Sequence, residues 1–513
     1  MRAPEEFELK FQVPPASMKL LDQLPELRRT KAVPQHKSEA SVYYDTETHK
    51  LRKHGMMLRV RCTDQAHKQT IKVQQPGRLA RNEWEVEIDG DTPDLRLAEG
   101  TALEPLMSRK LKRQLKPLFE TRVRRTVYQL DHSGYSVELA VDRGTIESGH
   151  NAVTLSEVEL ELKGGEGAML FALARELIKA VPAQLMLRSK AEQGYRLIEQ
   201  KMNNPVKAGP IMLMPSMSAR DAFRVIGFGC LKQVVDNEPA LSRSDPEGVH
   251  QMRVGLRRLR AAMSLFKQVL HHPETEAIKQ ELKWLTGELA PARELDVLIG
   301  DVLVPAKKRN VRKQGLVGLS RELERKRKAA LGRATAAVDS ARFRRLMLEV
   351  VAWLETGEWN EPQDDPTRKR GDVVIEEFAA AEMERRWQKI GKRGKKLSEL
   401  NPQSRHKLRI QGKKLRYAAE FFAGVFPRKR ETKRRKAFSA AVKQLQDCLG
   451  DLNDIAVHEK IISAPEGAGF HGGRQRSFAA GLLTASEDAR IDPTAAHAVN
   501  AVEGLTNVKA FWR

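Results

Sequence analysis

Charged side chains alternate with apolar ones in several short segments of the first 200 residues. Glu6, Glu8 and Lys10 lie two residues apart, and so do Arg59 and Arg61. Because residues i and i+2 share a face of a β-strand, each segment would place its charges on one side. Carboxylates on such a face could hold a hard divalent cation, and arginines could hold phosphate oxygens. Together they would neutralise charge on a phosphoryl group while a water molecule attacks it.

The charges are also grouped by sign. Arg122 and Arg124 form a second cationic pair, whereas Glu157, Glu159 and Glu161 are acidic. For any single strand, a charged face that points to solvent explains the pattern, because antiparallel sheets are commonly polar on one side. Like charges repel, however, unless charges of opposite sign lie between them. Taken together, the strands predict a barrel whose charged faces point inward.

The elements that would position these residues change along the chain. Residues 1–200 show strand-like alternation interrupted by Gly, Asp and Pro, and a Pro/Gly/Met-rich segment follows. The pattern then becomes helical and rich in Ala, Leu, Arg and Lys. The predicted fold class is α+β multidomain. The predicted boundaries are a strand domain at 1–202, a linker at 203–217 and an all-α domain at 218–510, the last divided into repeat one (about 218–300), connecting helices (about 305–370), repeat two (about 372–462) and a C-terminal segment (463–510).

The positive charge is concentrated in the helical part. The 513 residues carry a net charge of +23, with 32 Lys and Arg against 29 Asp and Glu in residues 1–200, and 58 against 38 in the remainder. Such an excess attracts polyanions. The sequence has no apolar run long enough to span a membrane and no signal-peptide pattern, and its three cysteines are far apart. We therefore expect a cytoplasmic protein that does not insert into membranes.

Two segments of the helical part repeat one pattern of basic residues 156 positions apart. Each begins with a histidine and continues, at helical spacing, with cations on one stripe opposite an apolar face. A single such helix fits a solvated face, but two copies favour a polyanion ligand. Arg258 and Lys414 lie off the stripes and are interpreted as ordinary surface charges. The stripes comprise His250, Arg253, Arg257 and Arg260 in the first copy and His406, Arg409, Lys413 and Arg416 in the second.

The strand domain resembles the CYTH family of triphosphate tunnel enzymes. Glu6-Phe7-Glu8-Leu9-Lys10 is similar to the family's ExExK signature, and Leu58-Arg59-Val60-Arg61 to its LRxR strand. The remaining matches occur in the expected order: Tyr43-Tyr44-Asp45-Thr46, Thr70-Ile71-Lys72, Glu83-Trp84-Glu85, Arg122-Val123-Arg124, Asp142-Arg143-Gly144, Glu157-Val158-Glu159-Leu160-Glu161 and Ser189-Lys190-Ala191-Glu192.

This resemblance implies an eight-stranded antiparallel tunnel with Mg²⁺ or Mn²⁺ as cofactor. It implies metal ligands at Glu6, Glu8, Glu157, Glu159, Glu161 and Asp142, the last also helping to hold a second metal or the attacking water. Catalytic roles would fall to Lys10 and Asp142. The triphosphate would be bound by Lys10, Arg59, Arg61, Lys72, Arg81, Arg122, Arg124 and Lys190.

The helical part resembles the CHAD family, which is named for a conserved histidine in an α-helical module. The resemblance is carried by the paired His-x-x-Arg-x-x-x-basic-basic-Leu-Arg motif at His250 and His406. It implies two four-helix units around a basic groove that binds inorganic polyphosphate through the two stripes. Few aromatic residues and no helix-turn-helix or RNP motif argue against nucleic acid as a partner.

Several functions follow as hypotheses from these resemblances. The leading one is metal-dependent hydrolysis of inorganic tripolyphosphate to pyrophosphate and phosphate, with polyphosphate bound by the helical domain. The same tunnel could instead serve an adenylate cyclase or a thiamine triphosphatase. A non-catalytic alternative is a protein that binds polyphosphate granules, which would also place it on those granules in the cytoplasm.

Overall fold

A computed structural model describes residues 5–29, 33–63, 66–132, 134–309, 314–360, 371–463 and 473–513. The chain divides into two compact units. The barrel unit comprises Met1–Val206, Val235–Pro239 and Asp339–Glu358; the helical unit comprises Lys207–Val234, Ala240–Val338 and Trp359–Arg513. Within the predicted connecting helices and C-terminal segment, residues 310–313, 361–370 and 464–472 lie outside the described residues.

A closed antiparallel sheet forms the framework of the barrel unit. Eight strands follow the order β5-β4-β3-β2-β6-β7-β8-β1, and β1 pairs in turn with β5 to close the ring, while the short β9 pairs with the other end of β1. The predicted fold class, an eight-stranded antiparallel barrel followed by a helical region, is confirmed. The strands are β1 Glu5–Gln12, β2 Gln35–Asp45, β3 Met56–Cys62, β4 His67–Gln74, β5 Arg81–Ile88, β6 Lys116–His132, β7 Tyr135–Ser148, β8 Asn151–Gly164 and β9 Gln184–Met186.

Helices accompany the barrel and make up most of the rest of the described chain. Five precede residue 200, and α12 belongs to the barrel unit although it lies far along the sequence. None of the described helices is long and apolar enough to cross a membrane. The helices are α1 Pro25–Arg29, α2 Lys50–Lys53, α3 Arg109–Gln114, α4 Gly167–Ala180, α5 Lys190–Ile198, α6 Ala219–Val235, α7 Glu238–Ser242, α8 Pro246–Leu265, α9 Pro273–Val297, α10 Val304–Arg309, α11 Gln314–Val338, α12 Ala341–Thr356, α13 Ile375–Gly394, α14 Pro402–Phe421, α15 Lys429–Ser463, α16 Gly473–Asp488 and α17 Ile491–Asn507.

The barrel unit has two apolar clusters, one that packs against the outer face of β3 and one that includes the cavity-lining Tyr43 and Val123. Leu58 and Val60 of β3 are buried in a cluster with Leu95 and Leu111, which follow β5 in the chain. On β1, the intervening Leu9 is also fully buried. Because alternate residues of a strand point to opposite faces, this arrangement leaves the charged positions of the same strands for the interior. Covering segments and helices bury the outer apolar face.

In the helical unit, the two repeated helices α8 and α14 contact each other reciprocally. Arg258 Nη2 of α8 donates to Glu420 Oε1 of α14 at 2.7 Å, and Lys414 Nζ of α14 donates to Ser264 Oγ of α8 at 2.8 Å. Positions 258 and 414 are 156 residues apart, and so are positions 264 and 420. Exchanging the repeats therefore exchanges the two contacts, as a pseudo-two-fold axis requires.

The interpretation of Arg258 as a surface charge is wrong. Its side chain is buried, with a relative exposure of 1% for the residue, and it also donates to Gln233 Oε1 at 3.1 Å. The guanidinium carbon lies 5.4 Å from the ring centre of Phe421. The helical pattern of α8 alone does not reveal that α14 covers this position, so the sequence showed only that Arg258 lies off the basic stripe.

Candidate functional site

Charged side chains from eight strands and one helix line the interior of the barrel. The lining includes seven basic and six acidic side chains, together with Ser41, Tyr43, Thr121 and a few others. This near balance of charge distinguishes the cavity from a simple anion pocket. The basic residues are Lys10, Arg59, Arg61, Lys72, Arg81, Arg125 and Lys190, and the acidic residues are Glu6, Glu8, Glu39, Asp142, Glu159 and Glu161.

Lys190, the first residue of α5, joins the acidic residues of β7 and β8. Its Nζ lies 2.6 Å from Glu159 Oε1, 2.8 Å from Asp142 Oδ2 and 3.2 Å from Glu157 Oε2. Burial by itself would lower the pKa of Lys190, but Asp142 and Glu159 outweigh it and hold the pKa well above its usual value. Lys190 is therefore an ammonium ion at neutral pH.

Lys10 and Arg125 complete this buried network around Glu159. Lys10 Nζ lies 2.5 Å from Glu159 Oε1, and Arg125 Nη2 lies 2.6 Å from both Glu159 Oε2 and Asp142 Oδ2. Burial would raise the pKa of Glu159, yet Lys10 and Lys190 hold it well below its usual value. The network consequently keeps all its members charged, as close pairing of buried ions requires.

Carboxylates of β1 are also paired with cations of β4 and β5. Lys72 Nζ lies 2.5 Å from Glu6 Oε2, and Arg81 Nη1 lies 2.7 Å from Glu8 Oε1. The Nε atoms of Arg61 and Arg81 are buried without a hydrogen-bond partner among the residues described. The neighbouring Arg59, and then burial, lower the pKa of Arg61. An anion between these guanidinium groups would satisfy the free donors and relieve the repulsion.

Two predicted phosphate ligands lie outside the cavity. Arg122 and Arg124 are exposed, and the side chain of Arg122 is 63% exposed and paired with Glu120 on the outer face. Thr121, Val123 and Arg125 of the same strand line the interior instead. A shift of one residue exchanges the two faces of a strand, and the sequence Arg-Val-Arg-Arg fits either choice. The inward assignment of Arg122 and Arg124 is therefore wrong, and Arg125 is the inward arginine.

Three further positions differ from, or add to, the sequence-based picture. Glu157 is buried but is not part of the cavity lining; it pairs with Lys190 and accepts a hydrogen bond from Gln193 at 2.6 Å. Glu39, which was not predicted, lines the cavity 3.5 Å from Arg61. Asp45, within the Tyr-Tyr-Asp-Thr segment, accepts hydrogen bonds from the Leu51 amide and the Tyr195 hydroxyl and so has a structural role. Glu39 and Ser41 are two residues apart on β2 and so share a face of the strand. This spacing is the sequence signal that could have indicated that Glu39 faces the cavity.

The two basic stripes of the helical unit lie close to one another. Arg257 of α8 lowers the pKa of both Arg409 and Lys413 of α14, in each case after the larger effect of burial. Burial, and then Arg257, lower the pKa of Arg253 to about 10, and Arg409 adds to this effect. Such mutual effects require short distances between the cations. The structure thus combines residues of both repeats in one basic surface, here called the paired-stripe surface.

Several nitrogen atoms of the paired-stripe surface have no hydrogen-bond partner among the described residues. These are Nδ1 of His250 and Nε of Arg253, Arg257 and Arg409, all buried atoms. Burial, and then Arg409 and Arg257, lower the pKa of Lys413 to about 7, and burial with Arg293 lowers that of His250 to about 4.

The other predicted members of the stripes are more accessible or already engaged. His406 Nδ1 lies 2.6 Å from Asn453 Oδ1, and Arg260 is exposed. The guanidinium of Arg416 lies over Tyr417, with its carbon 5.2 Å from the ring centre. The inner part of the surface, where partnerless donors and repelling cations coincide, is therefore the part best suited to a polyanion.

Known proteins resemble the two parts of the chain separately. Residues 4–195 match the CYTH domain family, and residues 226–463 match the CHAD domain family. An inorganic triphosphatase of Haemophilus influenzae is 30% identical over 200 residues, which are 38% of this chain and 55% of that protein, so the chain spans about half the length of this curated relative.

Solved structures resemble the chain as well. The CHAD domain of the plant Ricinus communis is 29% identical, with a TM-score of 0.50 over 60% of this chain and 98% of that one. PptA from Streptomyces chartreusis is 18% identical, with a TM-score of 0.41 over 56% of this chain and 100% of that one. The two family matches, by themselves, show that the chain contains an N-terminal CYTH domain followed by a CHAD domain.

Proposed function

We propose that the CYTH domain hydrolyses inorganic tripolyphosphate to pyrophosphate and phosphate, and that the CHAD domain binds longer inorganic polyphosphate. The main support is the composition of the tunnel lining, which has seven basic and six acidic side chains. A linear triphosphate could pair with the cations along its length. The triphosphate would take the place of the carboxylates that now pair with these cations. Those carboxylates would then need another positive partner, and a divalent metal ion supplies one.

The carboxylates of the tunnel fit a hard divalent cation in donor chemistry. Glu8 of β1 and Glu161 of β8 are directly opposite each other in the sheet, where like charges repel. Arg81 and Lys163 now offset these charges, and a divalent ion between the carboxylates would do so as well. Burial, and then the charge of Glu6, raise the pKa of Glu161, although Lys163 opposes this. In the described residues no three His, Cys, Asp or Glu side chains are grouped so as to hold a metal ion, because the tunnel carboxylates are paired with Lys and Arg.

We therefore propose Glu6, Glu8, Glu159 and Glu161 as ligands of Mg²⁺ or Mn²⁺, which they would bind after exchanging their present cationic partners. A bound divalent ion would polarise the phosphoryl group and neutralise its developing charge. Glu157 and Asp142 are further proposed ligands; like Glu159, both pair with Lys190, and Asp142 and Glu159 also pair with Arg125. In their present pairing, these carboxylates position the side chains of Lys190 and Arg125.

The chain's own cations would carry most of the binding. Arg59, Arg61 and Arg81 present guanidinium groups suited to bidentate contact with phosphate oxygens, and Lys72 adds a point charge. Burial lowers the pKa of Lys10, but Glu159 and Glu8 outweigh it and raise the pKa above its usual value. Lys10 would therefore stabilise developing negative charge and would not accept a proton from the attacking water.

Phosphate release from tripolyphosphate, ATP and thiamine triphosphate, each with Mg²⁺ or Mn²⁺, tests the proposal. We expect fastest release from tripolyphosphate. Formation of cyclic AMP from ATP would support the adenylate cyclase alternative. A preference for thiamine triphosphate would support the thiamine triphosphatase alternative. Inactivity on all three substrates, with polyphosphate binding retained, would instead favour a non-catalytic protein of polyphosphate granules. A cytoplasmic location, with or without such granules, remains part of the proposal.

A further inference from the structure

The barrel closes at a seam between β1 and β5. In the described part of the chain, Glu5 pairs with Asn82 and Glu6 with Arg81 across this seam. Arg81 also pairs with Gln74 of β4. The start of β5 therefore takes part in closing the barrel.

A tunnel residue lies at this seam. Arg81 is the first residue of β5, and its side chain reaches Glu8 inside the tunnel, with Nη1 2.7 Å from Oε1. The Nε atom of Arg81 is buried without a hydrogen-bond partner among the described residues. The position at which β5 begins therefore determines where the guanidinium group of Arg81 lies. It also determines the orientation of Glu8, a proposed metal ligand.

The segment before Arg81 is held by a residue from far along the chain. The amide N–H of Leu79 donates a hydrogen bond to Glu355 Oε1 of α12, within the barrel unit. Leu79 and Ala80 are both buried, and Gly77 in the preceding turn has a φ of 74°. Because a buried N–H without a partner is costly, the carboxylate of Glu355 specifies where this segment lies.

Glu355 lies in the last turn of α12, where the helix dipole disfavours a negative charge. The position thus requires a local partner, and the Leu79 amide is one. The helix itself is anchored independently, because Arg175 of α4 forms a bidentate ion pair with Glu349 at 2.8 and 2.9 Å. An anchored helix can hold the segment before β5 in a fixed place.

We propose that Glu355 is a positioning residue for triphosphate turnover, acting through the Leu79 amide to hold Arg81 at the barrel seam. A helix from between the two CHAD repeats would then be a working part of the CYTH tunnel. The inference rests on the proposed triphosphatase function. It implies that loss of the Glu355 carboxylate weakens substrate binding through Arg81 and has little effect on the chemical step.

Steady-state kinetics of the full chain with tripolyphosphate tests this role. Glu355→Ala should raise KM about tenfold with kcat within about twofold, because a binding group is misplaced and the cavity is otherwise intact. Glu355→Gln keeps an oxygen acceptor for the Leu79 amide and should restore KM to near the wild-type value. Arg345→Ala is the matched control, since it removes a side chain of the same helix that is 78% exposed and leaves both the Glu355 carboxylate and the Arg175–Glu349 anchor in place, and its KM should stay near wild type.

A double-mutant cycle with Arg81→Ala distinguishes positioning from general destabilisation. If Glu355 acts through Arg81, then adding Glu355→Ala to Arg81→Ala should raise KM no further. Additive effects, an unchanged KM in Glu355→Ala, or an equal change in Arg345→Ala would each overturn the proposal. Thermal melting of every variant ensures that the comparison is made on folded protein.

Failure of the proposed function would be recognised separately, because wild-type protein would then release no phosphate from tripolyphosphate. In that case the same cycle is measured on the dissociation constant for tripolyphosphate by calorimetry. The positioning role again predicts about tenfold weaker binding in Glu355→Ala and no further loss in the Arg81→Ala background. Independent effects of the two substitutions would again refute it.

Discussion

Replacing Arg125 by alanine is the sharpest test of which side chains face the tunnel. Arg125 donates three hydrogen bonds of 2.6–2.7 Å to Asp142 and Glu159, and its side chain is only 14% exposed. Hydrogen bonds to charged groups contribute about 1.5–3 kcal/mol each. Because Lys190 and Lys10 would still pair with the two carboxylates, we expect a net loss of about 2–3 kcal/mol in the free energy of unfolding. Thermal and denaturant unfolding measure this loss.

The same substitution should also impair catalysis. Removing one fixed charge from a site that stabilises a transition state commonly costs about 10²-fold in rate. We therefore expect kcat/KM for tripolyphosphate to fall about 10²-fold in Arg125→Ala, measured by phosphate release at saturating metal. Arg125→Lys should fall between wild type and alanine, because lysine keeps the charge but cannot bond Asp142 and Glu159 through a planar fork.

Arg124→Ala provides the matched control one residue away. Its side chain is on the exposed face of the strand, so stability should change by less than about 0.5 kcal/mol and kcat/KM by less than about twofold. If Arg124→Ala impaired turnover as much as Arg125→Ala, or if Arg125→Ala left turnover intact, the inward assignment of β6 would be refuted.

Three further outcomes are expected. Glu6→Gln or Glu8→Gln should abolish turnover through loss of a metal ligand, and full activity of either variant in a phosphate-release assay would break the case for the tunnel. Reversing charge at Arg257 and Lys413 together should release long polyphosphate from the CHAD domain while sparing tripolyphosphate hydrolysis; unchanged retention on immobilised polyphosphate would contradict the paired-stripe assignment. Burial, and then Arg409 and Arg257, lower the pKa of Lys413 to about 7, and a bound polyanion would raise this pKa. Polyphosphate binding should therefore take up a proton and weaken as the pH rises from about 6 to about 8. Lys413→Arg should flatten this dependence, and an equally steep dependence in that variant, measured by calorimetry, would exclude Lys413 as its source.

Strand alternation predicted the charged interior where both faces of a strand were marked by clear residue types. On β3, apolar Leu58 and Val60 alternate with Arg59 and Arg61, so only one register satisfies the burial of apolar side chains. The structure places the two arginines in the cavity lining and the two apolar residues in the outer core. Local sequence was sufficient there because packing and charge agree.

The same reasoning failed on β6, where local sequence does not determine the facing. Val123 is buried and lines the cavity, although an apolar residue between two arginines suggests the outer core. The pairing of β6 with β2 and β7 determines which face of β6 points into the barrel. This pairing joins residues that are far apart in the chain. Arg258 and Glu355 illustrate the same limit, because each is explained only by a partner distant in sequence.

A crystal structure of the protein with tripolyphosphate and Mn²⁺ would test the central claim most directly. The account predicts that the triphosphate lies inside the barrel, contacted by Arg61, Arg81 and Arg125, with the metal on carboxylates of β1 and β8. A triphosphate bound instead on the outer face beside Arg122 and Arg124, with the interior ion pairs unchanged, would contradict it.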